Sequence, residues 1–447
     1  MLERLYYGIL FVTFSIIRKP IIFLINILKL FLDEITLEGY KNSKLGSRYK
    51  YSDPLIEKIA KAKDITDLCY LHGYYVHEHV VKTKDGYLLT IHRITKTTNV
   101  NNIDGDSRKT KPVVYFHHGL LTNSELFVSG DTKEKCLPLL LVDLGYDVWL
   151  GNNRGNSYSR KHINYEVNEQ KFWDFSLDEY AIFDIPDTID YILELTYQEK
   201  IIYIGFSQGA SQGFASLSIN PNLSKKFKIF IGLSPAMIPK NLNHPIANYV
   251  IHCSHILLYT FFGKKSLMPS VLFWQKMLSP VTFMRVVDKC LVLLFNWTHG
   301  NISIRQKEAG YPHMFSPTSV KTLVHWFQII KRKRFQMFEE NPSLLAEFIT
   351  KDEEREYAYS NYPLETNSIS KGCIFPVQTI RDLPMFLVYG TSDILIDMDR
   401  TMENLKNNNS LVDFISIDGY EHMDTLWASD VKETCFDPII DRLKKLE

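Results

Sequence analysis

Beyond residue 66 the chain alternates short apolar runs with longer stretches of mixed, helix-like periodicity. Residues 113–117 (VVYFH), 146–150 (YDVWL), 201–204 (IIYI), 228–233 (KIFIGL), 385–389 (MFLVY) and 412–417 (VDFISI) are rich in apolar or β-branched residues and end mostly at turn formers or charges. They predict strands. Strands of this kind, spaced by helical stretches, imply a mainly parallel sheet wrapped by helices, an α/β architecture. Between about 240 and 375 the pattern breaks: His, Pro and aromatics crowd an apolar helical stretch without a clear strand, which predicts an inserted helical cap. The strand and helix pattern then resumes, and the two outer pieces together suit one domain. The expected organisation is a core over 66–240, a cap over 241–375 and the rest of the core over 376–447. The charge run Lys351 to Arg355 inside the insertion reads as a solvated face.

The first 35 residues form a separate object. Residues 5–32 (LYYGILFVTFSIIRKPIIFLINILKLFL) contain two apolar runs split by Arg18-Lys19-Pro20, and no small-residue cleavage site follows the first run as a secretory signal requires. As one straight spanning helix, the segment would hold Arg18 and Lys19 near the bilayer centre at about 2.5–3.5 kcal/mol each. Each run alone is about 20 Å long as a helix, short of the roughly 30 Å hydrocarbon core. Two short arms around a basic, proline-containing bend predict a re-entrant hairpin or interfacial anchor over residues 1–35, suited to a membrane or to a lipid-droplet monolayer. Residues 36–65 are expected to be a polar linker.

Composition narrows the partners. The 447 residues are 45% hydrophobic and 23% charged, which excludes a disordered chain as the starting expectation. Lys+Arg and Asp+Glu are both 51, so no net field draws nucleic acid or acidic substrates. The 13% aromatic share suits apolar substrates as well as a thick core. Cys69, Cys136, Cys253, Cys290, Cys373 and Cys435 include no C-x-x-C pair, which argues against a zinc site or a redox dithiol. Sequons begin at Asn222, Asn296, Asn301 and Asn408 in an Asn-rich chain and do not decide topology.

The strongest chemical signal is Gly205-Phe206-Ser207-Gln208-Gly209, of the form G-x-S-x-G. It follows the predicted strand 201–204 and precedes the small-residue helix start Ala210-Ser211-Gln212-Gly213. Strand, sharp turn and helix are the context that exposes a serine hydroxyl as a nucleophile. A serine needs a base and an orienting carboxylate. Asp393, in the loop after the strand 385–389, is the candidate acid; Asp397 is its rival but falls in the next element. His422, after the last strand and Gly419, is the candidate base. His117 and His118 precede the serine, and His299 and His313 lie in the cap, where packing roles are expected. An oxyanion hole requires two aimed backbone N–H groups. Gln208 follows the nucleophile, and Leu120 in His117-His118-Gly119-Leu120-Leu121 follows an early strand, so these are the candidate donors.

The chain resembles the acid lipase family of α/β-hydrolases, which includes lysosomal and gastric lipases and, closer in the amino-terminal anchor, the yeast steryl ester hydrolases. The similarity runs from about residue 65 to the end through eight ordered blocks, among them FHHGLLTNSELFV, VWLGNNRGNSYSRKH, FWDFSLDEYAIFDIPDTIDYIL, IGFSQGASQGFASLS, VYGTSDILID and GYEHMDTLW. The resemblance implies an α/β-hydrolase fold and a cap over an apolar pocket. It also implies Ser207 as nucleophile, Asp393 as acid, His422 as base, and Leu120 with Gln208 as oxyanion donors, with no metal or cofactor. Phe206 stands where animal relatives commonly carry His, and the anchor stands where secreted members carry a cleaved signal. The expected activity is hydrolysis of steryl esters at a lipid droplet, the endoplasmic reticulum or the plasma membrane, with triacylglycerol as the alternative substrate. A non-catalytic lipid-surface protein would be expected to lack a triad member, and a soluble esterase or thioesterase conflicts with residues 5–32.

Overall fold

The structure, a computed structural model, describes residues 51–96, 111–240, 245–267, 275, 277–298, 300–340 and 373–446. The predicted anchor, the first half of the predicted linker and the charge run at 351–355 lie outside the described residues.

The chain enters through α1 (Pro54–Ala60) and α2 (Ile65–Leu71), and each start is written locally. The Asp53 side chain accepts the N–H groups of Leu55 and Ile56 with Pro54 at the first helical position, and Asp64 caps α2 in the same way. This corrects the linker expectation for its described end: Ile56 and Ile59 of α1 are fully buried. A spacing of three places them on one helical face, so a short polar helix still has an apolar side to bury.

An antiparallel hairpin follows, β1 (Tyr75–Lys82) and β2 (Tyr87–Thr95). Next come β3 (Val113–His117), α3 (Leu137–Asp143), β4 (Asp147–Leu150) and the short β5 (Lys161–His162). The core continues with α4 (Ile185–Thr196), β6 (Ile201–Phe206), α5 (Gln208–Ile219) and β7 (Phe227–Leu233). Among the described residues the cap holds α6 (Pro245–His252), α7 (His255–Phe262), β8 (Ser266–Leu267), α8 (Pro280–Phe295), α9 (Ile304–Gly310), β9 (Thr318–Ser319) and α10 (Val320–Arg332). The core resumes with β10 (Met385–Gly390), α11 (Met398–Asn404), β11 (Val412–Ile417), α12 (Asp424–Trp427) and α13 (Asp437–Lys444). The cap is not free of strand, because β8 and β9 pair antiparallel; two residues each are too few to leave a periodic signal.

The sheet order is β1-β2-β4-β3-β6-β7-β10-β11, with β5 against β2. From β4 to β11 every neighbouring pair is parallel. Alternate residues of each central strand feed opposite faces. Val114, Phe116, Ile202, Ile204, Ile231 and Val388 join one apolar cluster, which also takes in Ile56, Leu139, Trp427 and Phe436. Val113, Tyr115, Ile201, Tyr203, Phe230 and Leu387 join the other, with Ile185, Ile189, Phe214 and Leu217. Burial on both faces explains why these strands read as continuous apolar runs.

From β3 the chain steps outward to β4 and then returns to the other side of β3 as β6. The loops leaving the carboxyl ends of β3 and β6 therefore diverge and open a crevice, the usual place for a ligand site in an open α/β sheet.

Candidate active site

Ser207 occupies the turn between β6 and α5 with φ 54° and ψ −118°, a left-handed conformation unfavourable for a side-chain-bearing residue. The turn is held from outside: the Ser207 N–H donates to the Leu233 carbonyl at 2.9 Å, and the Ala210 N–H donates to the Ser207 carbonyl at 3.0 Å. The flanking glycines are steric requirements. A Cβ on Gly205 would sit 2.6 Å from the Ala210 nitrogen, and one on Gly209 would run into the His117 carbonyl. Helix α5 thus passes hard against the end of β3, and only glycine permits that approach.

Three strand ends bring their loops to this turn. The Ser207 hydroxyl donates to Nε2 of His422 at 2.7 Å, and Nδ1–H of His422 donates to Asp393 Oδ2 at 2.7 Å. Asp393 Oδ1 also accepts the Leu395 N–H at 2.9 Å, which fixes the carboxylate from its own loop. All three are nearly out of solvent, with Ser207 8%, His422 4% and Asp393 2% exposed. A hydroxyl, an imidazole and a carboxylate joined in this order are able to pass a proton from the hydroxyl to the ring while the carboxylate holds the ring's tautomer. Behind the histidine, the Ser234 hydroxyl donates to the His422 carbonyl at 2.8 Å and meets Thr425 Oγ1 at 2.9 Å.

The loop after β3 reaches the same point. A Cβ on Gly119 would lie 3.2 Å from Cβ of Ser207, so the Gly119-Leu120 backbone passes over the Ser207 turn. Leu121 adopts φ 60°, and its carbonyl accepts the N–H of Ser316 from the cap at 2.7 Å. Gln208 is the first residue of α5, where helix N–H groups lack intrahelical partners and the helix end is electropositive. Its side chain is anchored in the cap, with Trp326 Nε1–H donating to Gln208 Oε1 at 2.6 Å.

His117 and His118 are struts of this loop. His117 Nε2–H donates to Asn153 Oδ1 at 2.8 Å, and its Nδ1 accepts the Tyr115 hydroxyl at 2.7 Å. His118 Nδ1–H donates to the Gly119 carbonyl at 2.8 Å while Nε2 accepts the Asn153 N–H at 3.1 Å. Both rings are therefore neutral. Burial pushes His117 down to about 4, and burial, then the neighbouring His117, pushes His118 down to about 3.

The structure thus brings Ser207, Asp393 and His422 together and places Leu120 and Gln208 in the two segments beside them. Asp397 caps α11 instead, accepting the Arg400 N–H at 3.2 Å. His313 is buried between Glu125 and the Ile59 carbonyl, and His299 lies outside the described residues. Sequence reasoning missed Asn153, Ser234 and Trp326. Asn153 stands inside a quoted block, so it was visible but carried no chemical signal of its own.

Strand order, crevice and turn define an α/β-hydrolase-type scaffold, and comparison with known proteins agrees. A family model described as alpha/beta hydrolase fold matches residues 112–429, and one described as a partial alpha/beta-hydrolase lipase region matches residues 65–131. The chain belongs to the α/β-hydrolase fold family, among the relatives of the lysosomal and gastric lipases. A Schizosaccharomyces pombe protein named "Probable lipase" is 45% identical over 395 residues, 88% of this chain and 83% of that one. The human lysosomal acid lipase/cholesteryl ester hydrolase is 30% identical over 390 residues, covering 86% and 91%. The rat gastric triacylglycerol lipase is 30% identical over 385 residues, covering 85% and 91%. A solved Sulfolobus solfataricus structure, 12% identical with a TM-score of 0.51 over 84% of this chain and 95% of that one, shares the fold.

Proposed function

We propose that this protein is a serine-dependent lipase that hydrolyses steryl esters to sterol and fatty acid. The observation that carries the chemistry is the hydrogen-bonded file Ser207, His422, Asp393 at the carboxyl ends of β6, β11 and β10. His422 takes the Ser207 proton as the oxygen attacks the ester carbonyl, and the N–H groups of Leu120 and Gln208 receive the oxyanion. Asp393 keeps the ring oriented and stabilises its cation. The alcohol leaves with the proton from His422, and water, deprotonated by the same ring, releases the acid. The sterol assignment is supported by the cholesteryl ester hydrolase among the relatives and by the apolar cap stretch Tyr249 to Trp297. Triacylglycerol is the second reading, because a gastric triacylglycerol lipase is 30% identical as well. Residues 5–32 would hold the enzyme at a membrane or droplet surface, and deleting residues 1–35 should move it to the soluble fraction; a deletion that stays with the lipid overturns that placement.

The test is fatty-acid release from cholesteryl oleate and from triolein in detergent micelles, by the wild type and by Ser207→Ala. Cleavage of the steryl ester, lost in the alanine variant, supports both nucleophile and substrate. Cleavage of triolein alone removes the sterol assignment and keeps the mechanism. Activity retained by Ser207→Ala overturns the mechanism.

A further inference from the structure

We propose that Trp297, Thr298 and Asn301 of the cap are positioning residues for His422, with Trp297 also stabilising the ring when it becomes a cation. This rests on the reading of His422 as general base. The His422 ring has both nitrogens engaged, with Ser207 and Asp393, so only its faces and backbone remain to be held. The Trp297 indole covers it nearly parallel, with centroids 5.6 Å apart and 14° between planes, and is itself stacked on Phe295 at 4.5 Å. Phe206, next to the nucleophile, meets the His422 ring at a tilt of 48° and 5.3 Å. The residues on either side of His422 are tied to the same cap segment. The Thr298 hydroxyl donates to Glu421 Oε1 at 3.0 Å, and the Thr298 N–H reaches the same oxygen. Asn301 Nδ2 donates to Asp424 Oδ2 at 2.8 Å and to the Gly419 carbonyl at 3.0 Å; Asp424 Oδ2 also accepts the Glu421 N–H at 2.6 Å. Beyond them, the Ser429 N–H donates to the Asn301 carbonyl at 2.9 Å.

These contacts bracket the base rather than the substrate. Thr298 and Asn301 set the path of the loop from Gly419 to Asp424, and Trp297 sets the plane of the ring. A general base must sit within a few tenths of an ångström of the proton it takes, so loosening this loop slows proton transfer before it weakens binding. The indole face carries negative quadrupole charge and attracts a cation above it, so the contact strengthens as His422 gains its proton. An interaction stronger in the transition state than in the ground state acts on kcat and leaves KM alone. The cap here holds the catalytic histidine in register as well as covering the site.

The experiment measures kcat and KM on p-nitrophenyl butyrate, whose short acyl chain makes little use of an acyl pocket. The full-length variants Trp297→Leu, Trp297→Phe and Thr298→Val are compared with Ser207→Ala and His422→Ala as references, and folding is checked by thermal unfolding. Trp297→Leu should lower kcat about tenfold with KM within about twofold, and Trp297→Phe should recover most of the loss. Thr298→Val, which keeps the side-chain shape and removes the hydroxyl, should lower kcat about threefold at unchanged KM. A Trp297→Leu that raises KM at wild-type kcat makes Trp297 a substrate wall and overturns the proposal, as does a phenylalanine variant no better than leucine. If the leucine variant does not fold, an unchanged kcat in Thr298→Val overturns it. Activity retained by His422→Ala fails the reading of the site itself, an outcome separable from all of these.

Discussion

Lowering the pH from about 7.5 to about 5 is expected to destabilise the fold through histidines buried in neutral form. His92, His117, His118 and His325 are at most 1% exposed, and burial pushes them from 6.5 down to about 3, about 4, about 3 and about 4. A base whose folded pKa lies below its unfolded value binds fewer protons when folded. Its contribution to stability is complete above 6.5 and is lost as the pH falls from 6.5 toward the folded value. By pH 5 each histidine has cost about 2 kcal/mol, so the four together cost about 8 kcal/mol. Three acids oppose them. Asp178, Asp184 and Asp424 are raised from 3.8 to about 6, first by burial, so they bind protons more tightly in the folded state and add stability as the pH falls below about 6. They return about 4 kcal/mol together at pH 5, leaving a net loss of about 4 kcal/mol, close to the whole stability of a marginally stable domain. Urea unfolding followed by tryptophan fluorescence at the two pH values measures it. His325→Gln, whose amide is able to donate to the Gln336 carbonyl as Nε2–H now does at 2.7 Å, should shrink the drop by about 2 kcal/mol. A stability that holds or rises between pH 7.5 and 5, or a drop unaffected by His325→Gln, would refute the reasoning.

Gly209→Ala should lower kcat at least about 100-fold, because its methyl group drives α5 away from the His117 carbonyl and displaces both Ser207 and the Gly119-Leu120 backbone. Wild-type activity in that variant would mean the close approach is not needed. Asp393→Asn should keep the fold and cost about 10⁴ in kcat by releasing the His422 tautomer, whereas Asp397→Asn should cost little beyond its cap on α11. The reverse ranking, read from kcat on a soluble ester, would transfer the orienting role to Asp397.

What the sequence discloses follows from how far apart the interacting residues stand in the chain. The five central strands β3, β4, β6, β7 and β10 were legible because a parallel strand buried on both faces must be apolar at nearly every position, as in Ile201–Phe206, where every residue is buried; β11, at the sheet's edge, was legible from its β-branched and aromatic residues alone. The hairpin β1–β2 was not, because an edge strand such as Tyr75–Lys82 turns most of its positions toward partial exposure, and its histidines and glutamate hide the alternation. The pair Asp85-Gly86 between β1 and β2 is a local turn signal that would have found it, since Gly86 adopts φ +102° and its N–H donates to Thr83. Helix α1 carried a similar local signal in Asp53-Pro54, which went unread inside a polar stretch.

The candidate site divides along the same line. Ser207, Asp393 and His422 each follow a strand at a loop whose chemistry is written nearby, so order and context located them. The groups that hold them have no such local mark. Trp297 meets His422 across 125 positions, and Trp326 meets Gln208 across 118. In a cap crowded with aromatics, nothing near Trp297 distinguishes it from its stacked neighbour Phe295. Which aromatic faces His422 is decided by how Asn296 ends α8 in the left-handed conformation and turns the chain toward the Gly419–Asp424 loop. The proposed reacting groups of this site were therefore readable from single segments. Their alignment depends on contacts between cap and core that exist only once both have folded, so damage to the cap should register first as a slower chemical step.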